Sequence, residues 1–216
     1  MNYEKSRNFA DFLDQQDGLS EYRKQFNYPK DSSGKELIYF CGNSLGLQPK
    51  TVSSYLEKEL SVWAEKGVIG QETRWIAFHE RLEKSTAKLV GALPSEVVVM
   101  NALTVNIHFL LVSFYQPNEK RYKIMIEKDA FPSDHYAIQS QIRFHGYDPE
   151  QALVELVPRK DEKILRNDDI LSSIQDHGDQ LSLIYLGGVN YYTGQAFDMG
   201  EISKAGKAQG AIVGFN

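Results

Sequence analysis

The chain has 216 residues, of which 42% are hydrophobic and 25% charged, and its net charge is -5. That is ordinary globular material, enough for one α/β domain or two small ones, and its mild acidity gives no electrostatic basis for binding nucleic acid or an anionic membrane. A single cysteine, Cys41, excludes an internal disulfide and leaves no thiolate cluster for zinc; the polar start lacks the apolar core of a signal peptide, and no run approaches the ~20 apolar residues of a membrane span, so a cytoplasmic protein is expected.

Residues 4–26 carry Phe9, Phe12, Leu13, Leu19, Tyr22 and Phe26 among charges, the pattern of one or two amphipathic helices. Leu37-Ile38-Tyr39-Phe40 reads as a short strand, followed by a loop from Cys41 to Gly46. Pro49 leads into a helix over 50–66, with Val52, Tyr55, Leu56, Leu60 and Trp63 near helical spacing. Residues 74–92 repeat that pattern with Trp75, Phe78, Leu82, Leu89 and Val90. Val97-Val98-Val99-Met100 is a continuous apolar run, as in a strand buried on both faces. There follow a helix over 105–115, a strand over 122–126, a helix over 134–145 and a strand over 153–157. The charged tract 158–169 reads as a solvated loop. A helix over 167–177 is capped by Asn167, with acids in its first turn; a strand over 183–186, a helix over 200–209 ending at Gly210 and a strand over 211–215 complete the chain.

Strand and helix alternate from residue 97 onward, which predicts an α/β fold with a mostly parallel sheet covered on both faces. The last strand has the composition of a buried one and so calls for neighbours on both sides, as in a domain represented only in part.

Ligands of open α/β sheets bind beyond the carboxyl ends of the strands. Four tracts meet that rule. In Met100 to Asn106, Thr104 can cap a helix whose first N–H groups and dipole form a phosphate seat; a plain cap is the alternative. In Asp129 to His135, Phe131 can lie over a planar ring, while Ser133 and Asp134 can either cap the next helix or hydrogen-bond a ligand. In Leu186 to Gln195, Gly187 and Gly188 allow close approach to the backbone, and Tyr191 and Tyr192 can equally pack in a loop. In Gly214-Phe215-Asn216, a polar side chain ends the last strand. There is no GxGxxG, GxxxxGK[ST], HExxH or GxSxG motif, and the five histidines show no metal-ligand spacing. Cys41 has no assignable base and reads as a small packing residue rather than a nucleophile.

Taken together and in order, FCGNSLGLQP (40–49), NALTVN (101–106), FPSDHYAIQSQIRFHG (131–146), VNYYTGQ (189–195) and VGF (213–215) resemble the kynureninases, from about residue 36 onward. The resemblance implies the N-terminal half of a pyridoxal 5'-phosphate enzyme of the aminotransferase-like type I fold. Residues 1–50 would form an N-terminal segment belonging to the small domain and substrate entrance, and 51–216 the first part of the large cofactor-binding domain. It implies hydrolysis of L-kynurenine or 3-hydroxykynurenine to anthranilate or 3-hydroxyanthranilate and L-alanine, in tryptophan catabolism and NAD biosynthesis, by a homodimer. By position, Leu103 and Thr104 would hold the cofactor phosphate, Phe131 would stack on the ring, and Phe131, Pro132, Ser133 and Asp134 would line it. Gly187 stands where some members have a cofactor-contacting Ser, and Asn43 and Ser44 would lie near the substrate. Asn216 replaces the Asp that pairs with the protonated ring nitrogen in the family, a loss of charge at that position. The Schiff-base lysine, with a His and a Tyr of the same site, falls downstream of these 216 residues, and Lys204 and Lys207 on a surface helix are poor substitutes; the chain alone is expected not to turn over. The alternatives are a non-catalytic relative that binds a partner or a phosphate ligand, and another type I enzyme such as a cysteine desulfurase.

Overall fold

The structure, a computed structural model, describes residues 3–216 and divides into two compact units, Met1–Val99 and Met100–Asn216.

In the first unit, helix α1 (Arg7–Gln16) starts at Ser6, whose hydroxyl accepts the Phe9 N–H at 3.2 Å. A 3-10 turn covers Ser20–Gln25. Helix α2 (Val52–Lys66) stops at Gly67 and helix α3 (Glu80–Val90) at Gly91, both with positive φ, which glycine adopts without a Cβ penalty. The helix expected over 74–92 begins only at Glu80, because Gln71–Trp75 forms a wider π turn. That turn is tied to α2: the Arg74 guanidinium and the Trp75 indole N–H (2.9 Å) both donate to Glu59. These bonds, Arg74's first, hold the Glu59 carboxyl down to about 2.

Two expected strands are not strands. Leu37–Phe40 makes no ladder, and the nearest pairing is an isolated bridge between Lys30 and Glu36. Val97–Met100 has extended backbone at Val97, yet it pairs with no described residue, and Val98 and Met100 are exposed. Apolar, β-branched runs set an extended backbone, whereas a strand also needs a partner with free hydrogen-bonding groups. Cys41, expected to pack, is exposed.

The second unit is built on four parallel strands: β1 (Lys123–Glu127), β2 (Leu153–Leu156), β3 (Leu181–Leu186) and β4 (Ile212–Phe215), in the order β2-β1-β3-β4. The connecting helices are α4 (Leu103–Phe114), α5 (Pro132–Phe144), the single turn α6 (Pro149–Ala152), α7 (Asn167–His177) and α8 (Met199–Ala208). Because side chains alternate along a strand, Ile124, Ile126, Leu183 and Tyr185 bury against α4 and α5. Met125, Ile184 and Leu186 bury on the opposite face with Ile170, Ile174 and Ile202 of α7 and α8, and Leu181, at the start of β3, packs in the same cluster. All six residues of β3 are buried, the signature of a central parallel strand. Strand β4 departs from the expectation of burial on both faces: it forms an edge of the described sheet, and Ile212 is exposed. Helix α7 is capped at Arg166 rather than Asn167, whose amide reaches across to Glu201 at 2.5 Å.

Helix α8 crosses the sheet closely at Gly206. A Cβ there would lie 2.5 Å from Val213 Cγ2 and 2.7 Å from Ile184 Cδ1. Gly206→Ala gains roughly 1 kcal/mol of helix propensity but overpacks this contact by about 1–3 kcal/mol. The net expectation is a loss of about 1 kcal/mol, read as a lower urea midpoint; an unchanged or higher midpoint would show that α8 slides freely over the sheet.

Candidate functional site

The carboxyl ends of β1, β3 and β4 lie side by side, and three of the four tracts singled out in the sequence follow them or the helix they feed. Strand β1 ends in Glu127, which is buried. Its two carboxylate oxygens accept the backbone N–H of Gly187, just past β3, at 3.1 and 3.2 Å. Burial pushes the Glu127 carboxyl above the ordinary carboxylate range, the hydrogen bonds from Gly187 and Asn190 pull it back in part, and the Asp134 charge adds to the rise. Gly187 therefore has no free N–H to offer a ligand. A Cβ at Gly187 would stand 3.0 Å from Glu127 Oε1, so a serine at this position would crowd the carboxylate.

Past β3 the chain turns through a loop held by its own side chains. Asn190, buried, accepts the N–H groups of Tyr192 and Thr193 at 3.0 and 2.9 Å. The Gln195 amide pairs with both backbone groups of Leu165. Strand β4 is locked to the same turn: Asn216 N–H donates to Leu186 O at 3.0 Å, and Gly188 N–H to Asn216 O at 2.8 Å.

Helix α5 begins with Pro132 in its first turn, where a missing N–H costs nothing. Phe131, at the cap, is 51% exposed, and its ring meets that of Tyr191 edge-on with centroids 5.1 Å apart. Three residues on, Asp134 is buried, and it accepts hydrogen bonds from the Ser133 hydroxyl (3.2 Å), the Tyr185 hydroxyl (3.4 Å) and the Asn216 side-chain amide (2.5 Å). Burial and then the neighbouring Asp134 charge raise the Tyr185 phenol well above its usual range, so it stays protonated and donates.

Leu103 and Thr104 lie in the first turn of α4, both exposed. Thr104 does not cap this helix: the cap is Ala102, and no side chain satisfies the end. A helix N-terminus left with unpaired N–H groups attracts an anion. Asn43 and Ser44 belong to the first unit, where they sit exposed in a turn closed by Ser44 N–H to Cys41 O at 2.9 Å.

The structure thus joins Phe131, Pro132, Ser133, Asp134 and Asn216 in one cluster and sets Gly187 beside it through the β3 end. The residues that sequence reasoning passed over are Glu127, Tyr185 and Asn190. An acid closing the run Ile124-Met125-Ile126, and a phenol inside Leu183-Ile184-Tyr185-Leu186, were the available signals.

A pH effect follows from Glu127. Its folded value is raised, so the folded state is favoured fully below the ordinary carboxylate range, and that advantage is lost as pH climbs through the raised value. Glu127→Gln keeps an oxygen for the Gly187 N–H and removes the buried charge. The melting temperature is expected to fall less between pH 5 and pH 8 in the variant, by a few degrees; parallel profiles for the two proteins would contradict the assignment.

Comparison with known proteins sharpens the picture. The chain is 52% identical over 219 residues to a kynureninase of Christiangramia forsetii, an alignment that takes in 100% of this chain and 51% of that protein. This similarity to kynureninases runs from end to end of the chain. It spans about half the length of the curated relatives it matches. No family model matches it. Among solved structures, the cysteine desulfurase CsdA of Escherichia coli superposes with a TM-score of 0.67 at 17% identity, covering 92% of this chain and 48% of that one. A C-DES mutant with glycine covalently linked to its PLP cofactor gives 0.62 at 12% identity, covering 79% and 43%. These structural likenesses show a shared fold; in sequence, the chain is similar to kynureninases.

Proposed function

We propose that this chain is the cofactor-holding half of a kynureninase, which hydrolyses L-kynurenine or 3-hydroxykynurenine to anthranilate or 3-hydroxyanthranilate and L-alanine. The observation that carries the reading is the first turn of α5, where an exposed aromatic ring and a buried carboxylate stand three residues apart at the carboxyl edge of the sheet. Phe131 caps the helix and its carbonyl accepts the Asp134 N–H at 3.0 Å, so the pair suits a flat ring that carries a protonated nitrogen. The uncapped start of α4 suits a phosphate. Pyridoxal 5'-phosphate combines these features, and when bound it supplies an electron sink for charge developing at the substrate Cα.

In this reading the backbone N–H groups of Leu103 and Thr104 hold the phosphate, Phe131 covers one ring face, and Pro132, Ser133 and Asp134 line the ring edge. Gly187 meets the cofactor without its N–H, which Glu127 takes. Asn43 and Ser44, of the segment 1–50, are the residues assigned to the substrate, and 51–216 open the large domain. The whole protein is a cytoplasmic homodimer in this reading.

Titration of the purified chain with pyridoxal phosphate, followed by phosphorus NMR and fluorescence, tests the reading. Saturable binding of one equivalent is expected. Absence of binding would remove its basis.

A further inference from the structure

We propose that in this chain Asp134, and not residue 216, is the anionic partner of the protonated ring nitrogen, and that the Asn216 amide keeps the place until the ring arrives. The proposal rests on the pyridoxal phosphate reading above. Asp134 is buried, yet among the described residues it has no cationic partner: its donors are the hydroxyls of Ser133 and Tyr185 and the amide of Asn216, all neutral. A buried carboxylate is normally paired with a charge, and the positive end of α5 favours negative charge at this position. The other buried carboxylate of this edge, Glu127, has both oxygens on the Gly187 N–H. Asp134 therefore holds the site's uncommitted negative charge.

Its three donors differ in how readily they leave. Tyr185 is fixed within the buried strand β3, and Ser133 is the chain neighbour. Asn216 is exposed, and its backbone is pinned by Leu186 and Gly188 while only its side chain reaches Asp134. To Asp134, an amide N–H and a pyridinium N–H are the same kind of donor. The pyridinium also brings a positive charge, which makes the bond roughly twice as strong. A neutral amide at position 216 cannot hold a proton on the ring by charge, so the family's aspartate is replaced here by a carboxylate from another element.

Nitrogen NMR of pyridoxal phosphate labelled with 15N in the ring, alongside phosphorus NMR, tests this on the purified protein. In the wild type a bound phosphate and a protonated ring nitrogen are expected. Asn216→Ala keeps the protonated nitrogen and binds about tenfold tighter, the worth of one competing hydrogen bond to a charged group. Asp134→Asn keeps the bound phosphate and loses the protonated nitrogen. The double variant Asp134→Asn/Asn216→Asp regains it, which also shows that Asp134→Asn still folds. A protonated nitrogen in Asp134→Asn, its loss in Asn216→Ala, or no recovery in the double variant overturns the proposal. A wild type that binds no phosphate overturns the cofactor reading itself, and this proposal with it.

Discussion

Replacing Ile184 with alanine is expected to lower the unfolding free energy by about 3 kcal/mol, within the 2–5 kcal/mol typical of truncating a fully buried aliphatic side chain. Ile184 is 0% exposed and sits mid-way along β3, paired in register with Met125 of β1 and Val213 of β4. Its Cδ1 reaches to within 2.7 Å of where a Cβ on Gly206 would stand, so the side chain fills the gap that this glycine leaves between α8 and the sheet. Its truncation opens a cavity that the close helix crossing cannot collapse, because the backbone at Gly206 already approaches as far as Val213 allows. Urea denaturation of both proteins measures the loss. A change under 1 kcal/mol would mean that α8 is not seated on β3 as described. The same substitution at exposed Ile212 is expected to cost far less, since little of that side chain leaves water on folding.

The elements from residue 122 onward were legible because each strand finds its partner within the chain. The runs around Ile124, Val154, Ile184 and Val213 pair with one another in parallel. Leu37–Phe40 and Val97–Met100 have the same composition, yet no described residue pairs with them, and composition alone does not supply a ladder. Short-range chemistry misled in smaller ways. Asn167 is a good cap by type, yet Arg166 occupies that position and Asn167 reaches α8 instead. Helix α6 is a single turn, too short for any hydrophobic period, although Asp148 followed by Pro149 is a helix-start signal. In the site, the tracts at strand ends were visible from the α/β rule, but their links were not. Tyr185 to Asp134, Gly187 to Glu127 and Asn216 to Asp134 join residues 51, 60 and 82 positions apart. Such contacts arise from the order β2-β1-β3-β4, which local pattern does not encode. The placement of Asn216 likewise becomes visible only once its amide is seen to rest on Asp134.

Replacing Leu103 with proline is expected to weaken phosphate and pyridoxal phosphate binding by about tenfold or more while leaving the fold intact. Leu103 is the first residue of α4, and Ala102 before it is already extended, with φ -71 and ψ 156. Proline restricts the preceding residue to that region and is itself favoured at the first helical position, so the substitution asks for no backbone change. The Leu103 side chain is 56% exposed, so its loss removes little packing. What disappears is one backbone N–H at the positive end of the helix. A hydrogen bond to a charged group contributes about 1.5–3 kcal/mol, which corresponds to roughly tenfold to a hundredfold in affinity. Thr104→Ala is the matched control: it keeps the N–H and removes only the hydroxyl, so its smaller loss separates side-chain from main-chain recognition. Isothermal titration with inorganic phosphate and with pyridoxal phosphate reads both variants. If Leu103→Pro binds both ligands as well as the parent while Thr104→Ala does not, the hydroxyl rather than the helix end holds the phosphate. If neither variant changes affinity, the start of α4 is not the phosphate seat, and the anion must be held elsewhere along the carboxyl edge of the sheet.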